Sequence, residues 1–224
     1  MPSLRDMLAA APWTRSLAPE RLARIERDTL IRDVDAGALV CRKGERVDHW
    51  IGVVDGLVKM ANVSAQGKAM SFTGIGTGGW FGEGSLLKDE PRRYDIVALR
   101  RSSIAYMPRA TFMALLDDSV AFNRFLLMQL NERLGQFIGL IEHDRLRGPD
   151  ARLARGLAGL FNPHLYPGSR STLPVSQEEL GQLVGLSRQR VNQSLRVLEQ
   201  KGLLRVEYAG VTVLDLVGLR EFDG

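Results

Sequence analysis

The sequence predicts an α+β protein: a β-roll of short antiparallel strands, then one long helix, then a smaller helical unit closed by a hairpin. Three observations predict this. Between Leu30 and Pro108, short β-prone runs alternate with turn signals at Asp35-Ala36-Gly37, Lys43-Gly44, Asp55-Gly56, Gln66-Gly67 and Gly78-Gly79, the texture of an antiparallel sandwich or barrel. From about Arg109 to Arg147 apolar residues recur at helical spacing. Gly148-Pro149-Asp150 then breaks the pattern, because proline has no backbone N–H to give a helix interior but suits a first turn. The expected divisions are 1–108 for N-terminal helices and roll, 109–147 for the long helix and 148–224 for the second unit.

Ahead of the roll, Leu8, Leu17, Leu22 and Ile25 fall at roughly helical spacing and read as short helices that cap it. The chain has 224 residues, enough for two cores, and its 45% hydrophobic and 25% charged content is that of a soluble globular protein. No segment approaches the roughly 20 apolar residues of a membrane helix. The N-terminal MPSLRDMLAAAPWTRSL is too interrupted for a secretory signal, so a cytoplasmic protein without membrane contact is expected. The single cysteine, Cys41, sits in an apolar strand pattern and reads as buried filler; alone it supplies neither a disulfide nor a zinc or iron–sulfur ligand set. The three histidines, His49, His143 and His164, show no metal-site spacing, and His49 reads as packing or surface rather than a haem ligand. No catalytic triad or activated cysteine is visible, so an enzyme is not expected.

In the long helix Leu126, Leu130, Leu134, Phe137 and Ile141 form an apolar stripe. It reads as a coiled-coil seam between two copies or, alternatively, as a face packed back on the roll. In the second unit Leu153, Leu157, Leu160 and Phe161 give a helix an apolar face, and Asn162 to Pro174 reads as a loop. The net charge of +4 is small, and from Gly148 onward nine basic residues face eight acidic ones. Bulk charge therefore says little about a polyanionic partner.

The stretch VSQEELGQLVGLSRQRVNQSLRVLEQKGLL, from Val175 to Leu204, says more. Ser176 and Glu179 form a capping box, Leu180, Leu183 and Val184 a core face, Gly181 a point of close approach, Gly185 a sharp turn and Ser187 a second cap. Val191, Leu195 and Leu198 bury the second helix and leave Arg188, Gln189, Asn192 and Gln193 outward. These residue types read base edges, and they lie in the first turns, where a helix-turn-helix meets the major groove. Ser187, Arg190, Arg196 and Lys201 are candidates for phosphates. Leu203 to Tyr208, a turn at Ala209-Gly210 and Val211 to Leu214 complete a wing, so double-stranded DNA is the expected partner of a winged helix-turn-helix.

With these residues the chain resembles the Crp/Fnr family of bacterial regulators, from about Leu30 to the end. The resemblance is carried by SQEELGQLVGLSRQRVNQSLRVLEQKGLL, by GLVKM and WFGEGSLL, by the helix stripe and by VTVLDLVGLREF. It implies a cyclic-nucleotide-binding-like jelly roll, a dimerisation helix, a homodimer on a two-fold symmetric operator, and contact with RNA polymerase in an activator. Arg188 matches the first base-reading arginine of the cyclic-AMP receptor branch, whereas Gln189 replaces a glutamate and Gln193 a second arginine. In the roll the resemblance makes Gly82-Glu83 the ribose pair and Arg93 the phosphate arginine, and Phe137 joins the same pocket. Tyr94 and Asp95 stand where small residues follow the arginine, and Phe137 and Ile138 where hydroxyl residues contact the purine. These departures disfavour cyclic AMP and leave a different effector or none, so no cofactor is certain, a cyclic nucleotide is disfavoured, and no metal is expected. Glu83 and Arg93 have a second reading, a salt bridge holding the roll together. The alternatives to a regulator are a cupin-like enzyme on the roll or a nucleotide-binding regulatory subunit.

Overall fold

The computed structural model describes residues 2–63, 69–146, 148–167, 171–208 and 210–224, with side chains described outside 63, 69–70 and 140–146. Helices α1 (Leu4–Ala10) and α2 (Pro19–Asp28), joined by a 3-10 turn at Pro12–Ser16, precede the roll. The roll contains β1 (Leu30–Val34), β2 (Leu39–Cys41), β3 (His49–Asp55), β4 (Leu57–Val63), β5 (Ala69–Gly76), β6 (Trp80–Phe81), α3 (Glu83–Lys88), β7 (Asp95–Ala98) and β8 (Ser102–Pro108). Its strands form two 4-stranded sheets, ordered β1-β8-β3-β6 and β2-β7-β4-β5, with antiparallel pairing throughout. The Gln66-Gly67 turn lies outside the described residues.

Strand β3 shows why the roll needs its flanking helices. Successive side chains of a strand point to opposite faces. Ile51 and Val53 therefore enter the roll interior with Val58, Ile75, Phe81, Ile96 and Ile104, while Trp50 and Val54 face out into a second cluster with Trp13, Trp80, Phe112 and Phe122. Trp50 stacks on Trp80 at a centroid distance of 4.2 Å and meets Phe112 and Phe122 edge-on. Helices α1, α2, α4 (Arg109–Asp118) and the start of α5 (Val120–Leu146) cover this aromatic face.

The long helix is divided, against expectation. Ser119 is extended (φ −122°, ψ 101°) and ends α4; its hydroxyl accepts from the Phe122 amide at 3.2 Å and starts α5. Asn123 donates from Nδ2 to the carbonyls of Leu116 and Ser119 at 2.6 and 3.0 Å, which satisfies the end of α4. The apolar stripe is divided too. Leu126 is buried and Phe137 packs against the roll core, whereas Leu127, Leu130, Leu134 and Ile138 are 67, 40, 58 and 51% exposed. The side chain of Ile141 lies outside the described ones.

After Gly148, α6 (Pro149–Leu160) leads to β9 (Thr172–Leu173), α7 (Gln177–Val184), α8 (Arg188–Gln200), β10 (Leu204–Glu207), β11 (Gly210–Val213) and α9 (Leu216–Glu221). The segment expected to be wholly loop contributes β9, which adds to the wing by pairing Leu173 with Val211. Leu57 and Leu99 of the roll extend the core of this unit, and Leu165 and Tyr166 in return enter the roll core.

Cys41 is buried, and burial pushes its thiol up to about 11. Since the folded value lies above the roughly 8.5 of a free thiol, its contribution to stability is complete below that pH and is lost as pH rises toward 11. The native protein is expected to resist iodoacetamide at pH 8 and to react once denatured, as mass spectrometry can follow. Rapid native alkylation would contradict the burial.

Candidate functional site

The reading head of the second unit is set by local chemistry. The Ser176 hydroxyl accepts from the Glu179 amide at 3.2 Å, and the Glu179 carboxylate accepts from the Ser176 amide at 2.6 Å, closing the capping box. Helix α7 ends at Gly185 in the left-handed region (φ 68°, ψ 36°), where a β-carbon is disfavoured. At Gly181 a β-carbon would come within 2.6 Å of the Leu186 carbonyl oxygen, so the turn can double back only over glycine. Ser187 then caps α8 by accepting from the Arg190 amide at 3.3 Å.

Val191, Ser194, Leu195 and Leu198 bury one side of α8. Ser187, Arg188, Gln189, Gln193 and Arg196 are exposed on the other. One phosphate candidate and one outward residue sit differently from expectation. Arg190 is half-buried and pairs with Asp150 of α6 at 2.8 Å, so it braces the helix rather than standing free for phosphate. Asn192 is half-buried and donates to Gln177 Oε1 at 3.3 Å. Beside α8 the wing pairs Leu204 with Val213 and Glu207 with Gly210; Ala209, half of its expected turn, lies outside the described residues.

The unit is seated on the roll through polar and apolar contacts. Arg100 Nε donates to Glu179 Oε1 at 2.7 Å, so the carboxylate that caps α7 is also held by the roll. The Ser71 hydroxyl donates to the Gln182 carbonyl at 2.7 Å, and the Tyr166 hydroxyl to the Gly74 carbonyl at 2.8 Å. A groove of about 410 Å³ runs along this seam between Lys59 and Ser71 on one wall and Gln182 and Arg188 on the other.

A second cluster lies where the roll meets α5. Glu83, Arg92, Gln129 and Arg133 are all buried. Arg133 donates from Nη2 to the Trp80 carbonyl at 2.6 Å, and its Nε lies 3.8 Å from Glu83 Oε1. Gln129 sits on the same face of α5, one turn earlier. Among the described residues Glu83 Oε2, Arg92 Nη1 and both amide atoms of Gln129 have no hydrogen-bond partner. Each such buried group costs about 1–3 kcal/mol, which a ligand supplying partners would recover.

The sequence placed Arg93 beside Gly82 and Glu83, and the structure puts Arg92 there instead. A β-carbon on Gly82 would lie 3.0 Å from Arg92 Nη1. Arg93 points to solvent and makes two 2.9 Å hydrogen bonds to Glu90, so the Glu83–Arg93 salt bridge is not formed. Asp95 also turns away, accepting from the Lys43 amide at 2.8 Å. Tyr94 stays with the roll core; burial, reinforced by the negative charge of Glu83, pushes its phenol up to about 12. Gly82 and Glu83 therefore meet Arg92 and Arg133, partners that the sequence did not single out, while Tyr94 and Phe137 pack against the roll core.

Comparison with known proteins agrees with this geometry. A cyclic nucleotide-binding domain model matches residues 31–119, and a Crp-like helix-turn-helix domain model matches residues 151–222. The chain is 27% identical over 214 residues, 94% of its own length and 95% of the relative's, to the CRP-like cAMP-activated global transcriptional regulator of Mycobacterium tuberculosis. The same fold occurs in the catabolite activator protein of Thermus thermophilus (TM-score 0.51, 24% identity, 94% of this chain and 97% of that one). It occurs again in FixK2 of Bradyrhizobium japonicum (TM-score 0.65, 18% identity, 88% of this chain and 98% of that one). Fold and site together define a cyclic nucleotide-binding domain carrying a Crp-like helix-turn-helix DNA-binding domain. The chain belongs to the Crp/Fnr family of transcriptional regulators. No helix among the described residues is long and apolar enough to cross a membrane.

Proposed function

We propose that the chain works in the cytoplasm as a homodimer that binds a two-fold symmetric operator through α8, under control of an effector other than cyclic AMP held at the buried polar cluster of Glu83 and Arg92. The observation that carries the DNA reading is the outer face of α8, where Arg188, Gln189 and Gln193 stand exposed on a helix whose start is capped by Ser187. Arg188 matches guanine, and Ser187 and Arg196 flank it for phosphates. The exposed Leu127, Leu130, Leu134 and Ile138 recur at spacings of three and four, the pattern of a seam that a second copy covers. In this reading the chain divides into 1–108, 109–147 and 148–224, and RNA polymerase is a further partner if the protein activates.

What supports an effector is that Glu83, Arg92 and Gln129 hold buried polar atoms without a hydrogen-bond partner. Glu83 and Arg92 suit a ligand with hydroxyl and anionic groups. Cyclic AMP is disfavoured by the Tyr94 ring and by Phe137 and Ile138, which offer a purine no hydrogen bonds. Because Arg133 reaches from α5 to Glu83 and Trp80, a ligand that competes for Glu83 shifts α5 near Phe137. Two paired α5 helices then re-aim the two α8 helices toward one-turn spacing.

The test is selection of bound sequences from a random DNA pool, with and without cyclic AMP, at one stated salt concentration. A symmetric site with half-sites about 34 Å apart, enriched equally with and without the nucleotide, is the expected result. Enrichment that depends on cyclic AMP would overturn the effector assignment, and absence of enrichment in both arms, repeated at low salt where even a minor DNA-competent population selects its site, would overturn the DNA reading.

A further inference from the structure

Asp150, in the first turn of α6 just after the Gly148 N-cap, touches the reading head from behind. Its Oδ1 accepts from Arg190 Nη2 at 2.8 Å and also from the hydroxyl of the fully buried Ser194. Arg190 passes the contact on, donating from Nη1 to Gln193 Oε1 at 3.2 Å. One carboxylate oxygen thus fixes Arg190 and Ser194 on successive turns of α8, and through Arg190 it reaches Gln193, an exposed candidate for base contact.

The consequence for Gln193 is chemical. A free glutamine matches adenine because its oxygen accepts from N6–H while its nitrogen donates to N7. Here the oxygen already faces a guanidinium, whose positive charge opposes a second donor and favours an acceptor. The amide nitrogen, with its two hydrogens, is what remains to be offered outward: guanine N7 and O6 or thymine O4 accept them, whereas adenine, although its N7 accepts one, sets its N6–H donor against the other.

We propose that Asp150 is a positioning residue for base recognition: through Arg190 it orients the Gln193 amide so that its base pair is read as a keto base, guanine or thymine, rather than adenine or cytosine. This rests on the DNA-binding reading above, and the experiment separates the two. Random-pool selection is run at low salt on the full-length protein and on Gln193→Ala, Asp150→Ala, Arg190→Met and Asp150→Glu, with thermal unfolding of each variant recorded. Because a small DNA-competent population lowers affinity for every sequence alike, the ranking of bases is readable without the effector.

Gln193→Ala marks the position by flattening one symmetric pair of columns in the selected sequences. Wild type is expected to carry guanine or thymine there. Asp150→Ala and Arg190→Met are each expected to shift the keto-to-adenine ratio by roughly tenfold toward adenine at that position alone, with Asp150→Glu restoring it. A merely structural role would weaken all positions together and leave that ratio unchanged, and that result overturns the proposal. So does a wild-type preference for adenine or cytosine. Wild type that enriches no sequence removes the DNA reading and this inference together, whereas a symmetric site whose marked column ignores both variants removes only the inference.

Discussion

Replacing Arg188 with alanine is expected to lower operator affinity by roughly two to four orders of magnitude while leaving fold and oligomeric state unchanged. A bidentate arginine–guanine pair is worth about 1–3 kcal/mol, and a symmetric dimer loses it in both half-sites. Arg188 is exposed at the start of α8 and carries no part of the core, so thermal unfolding should not move. Binding to scrambled DNA depends on phosphate neutralisation and should fall far less. Fluorescence anisotropy at fixed salt on specific and scrambled duplexes separates these terms. An unchanged ratio of the two affinities would show that α8 does not read bases through this residue.

The second large effect is expected at Leu134. This side chain is 58% exposed in the single chain, so Leu134→Glu removes little from the protomer's own core. Across a two-fold seam it places two carboxylates among Leu127, Leu130 and Ile138 of both copies, and unpaired buried charge is strongly disfavoured. Sedimentation equilibrium is expected to give a folded monomer where wild type gives a dimer. Operator affinity should fall about 10²- to 10⁴-fold, because each half-site then binds without its neighbour. A variant that remains dimeric would place the subunit interface elsewhere.

What was legible in the sequence follows the range of the interaction that encodes it. The capping box at Ser176 and Glu179, the turn at Gly185 and the cap at Ser187 each act within four residues, and the structure forms all of them. The roll announced itself through turn signals between strands. The helix break at Ser119 was not legible, because a serine that caps looks in sequence like any polar residue on a helix surface. The exchange of Arg92 for Arg93 has a similar origin: they follow irregular backbone, with Asp89 at φ 52°, where no strand or helix period assigns a side. The brace from Asp150 to Arg190 spans 40 residues, and the pairs Arg133–Glu83 and Arg100–Glu179 join separate elements. Such partners exist only once the chain has folded. The stripe on α5 was visible as apolar, but its division between roll and solvent depends on where the roll lies.

Hydroxyl-radical footprinting of the protein on its selected operator tests most directly whether two α8 helices enter successive major grooves. Two protected segments about one helical turn apart, on one face of the duplex and related by a two-fold axis, are the predicted result. A single protected segment, or protection with no symmetry, would contradict it.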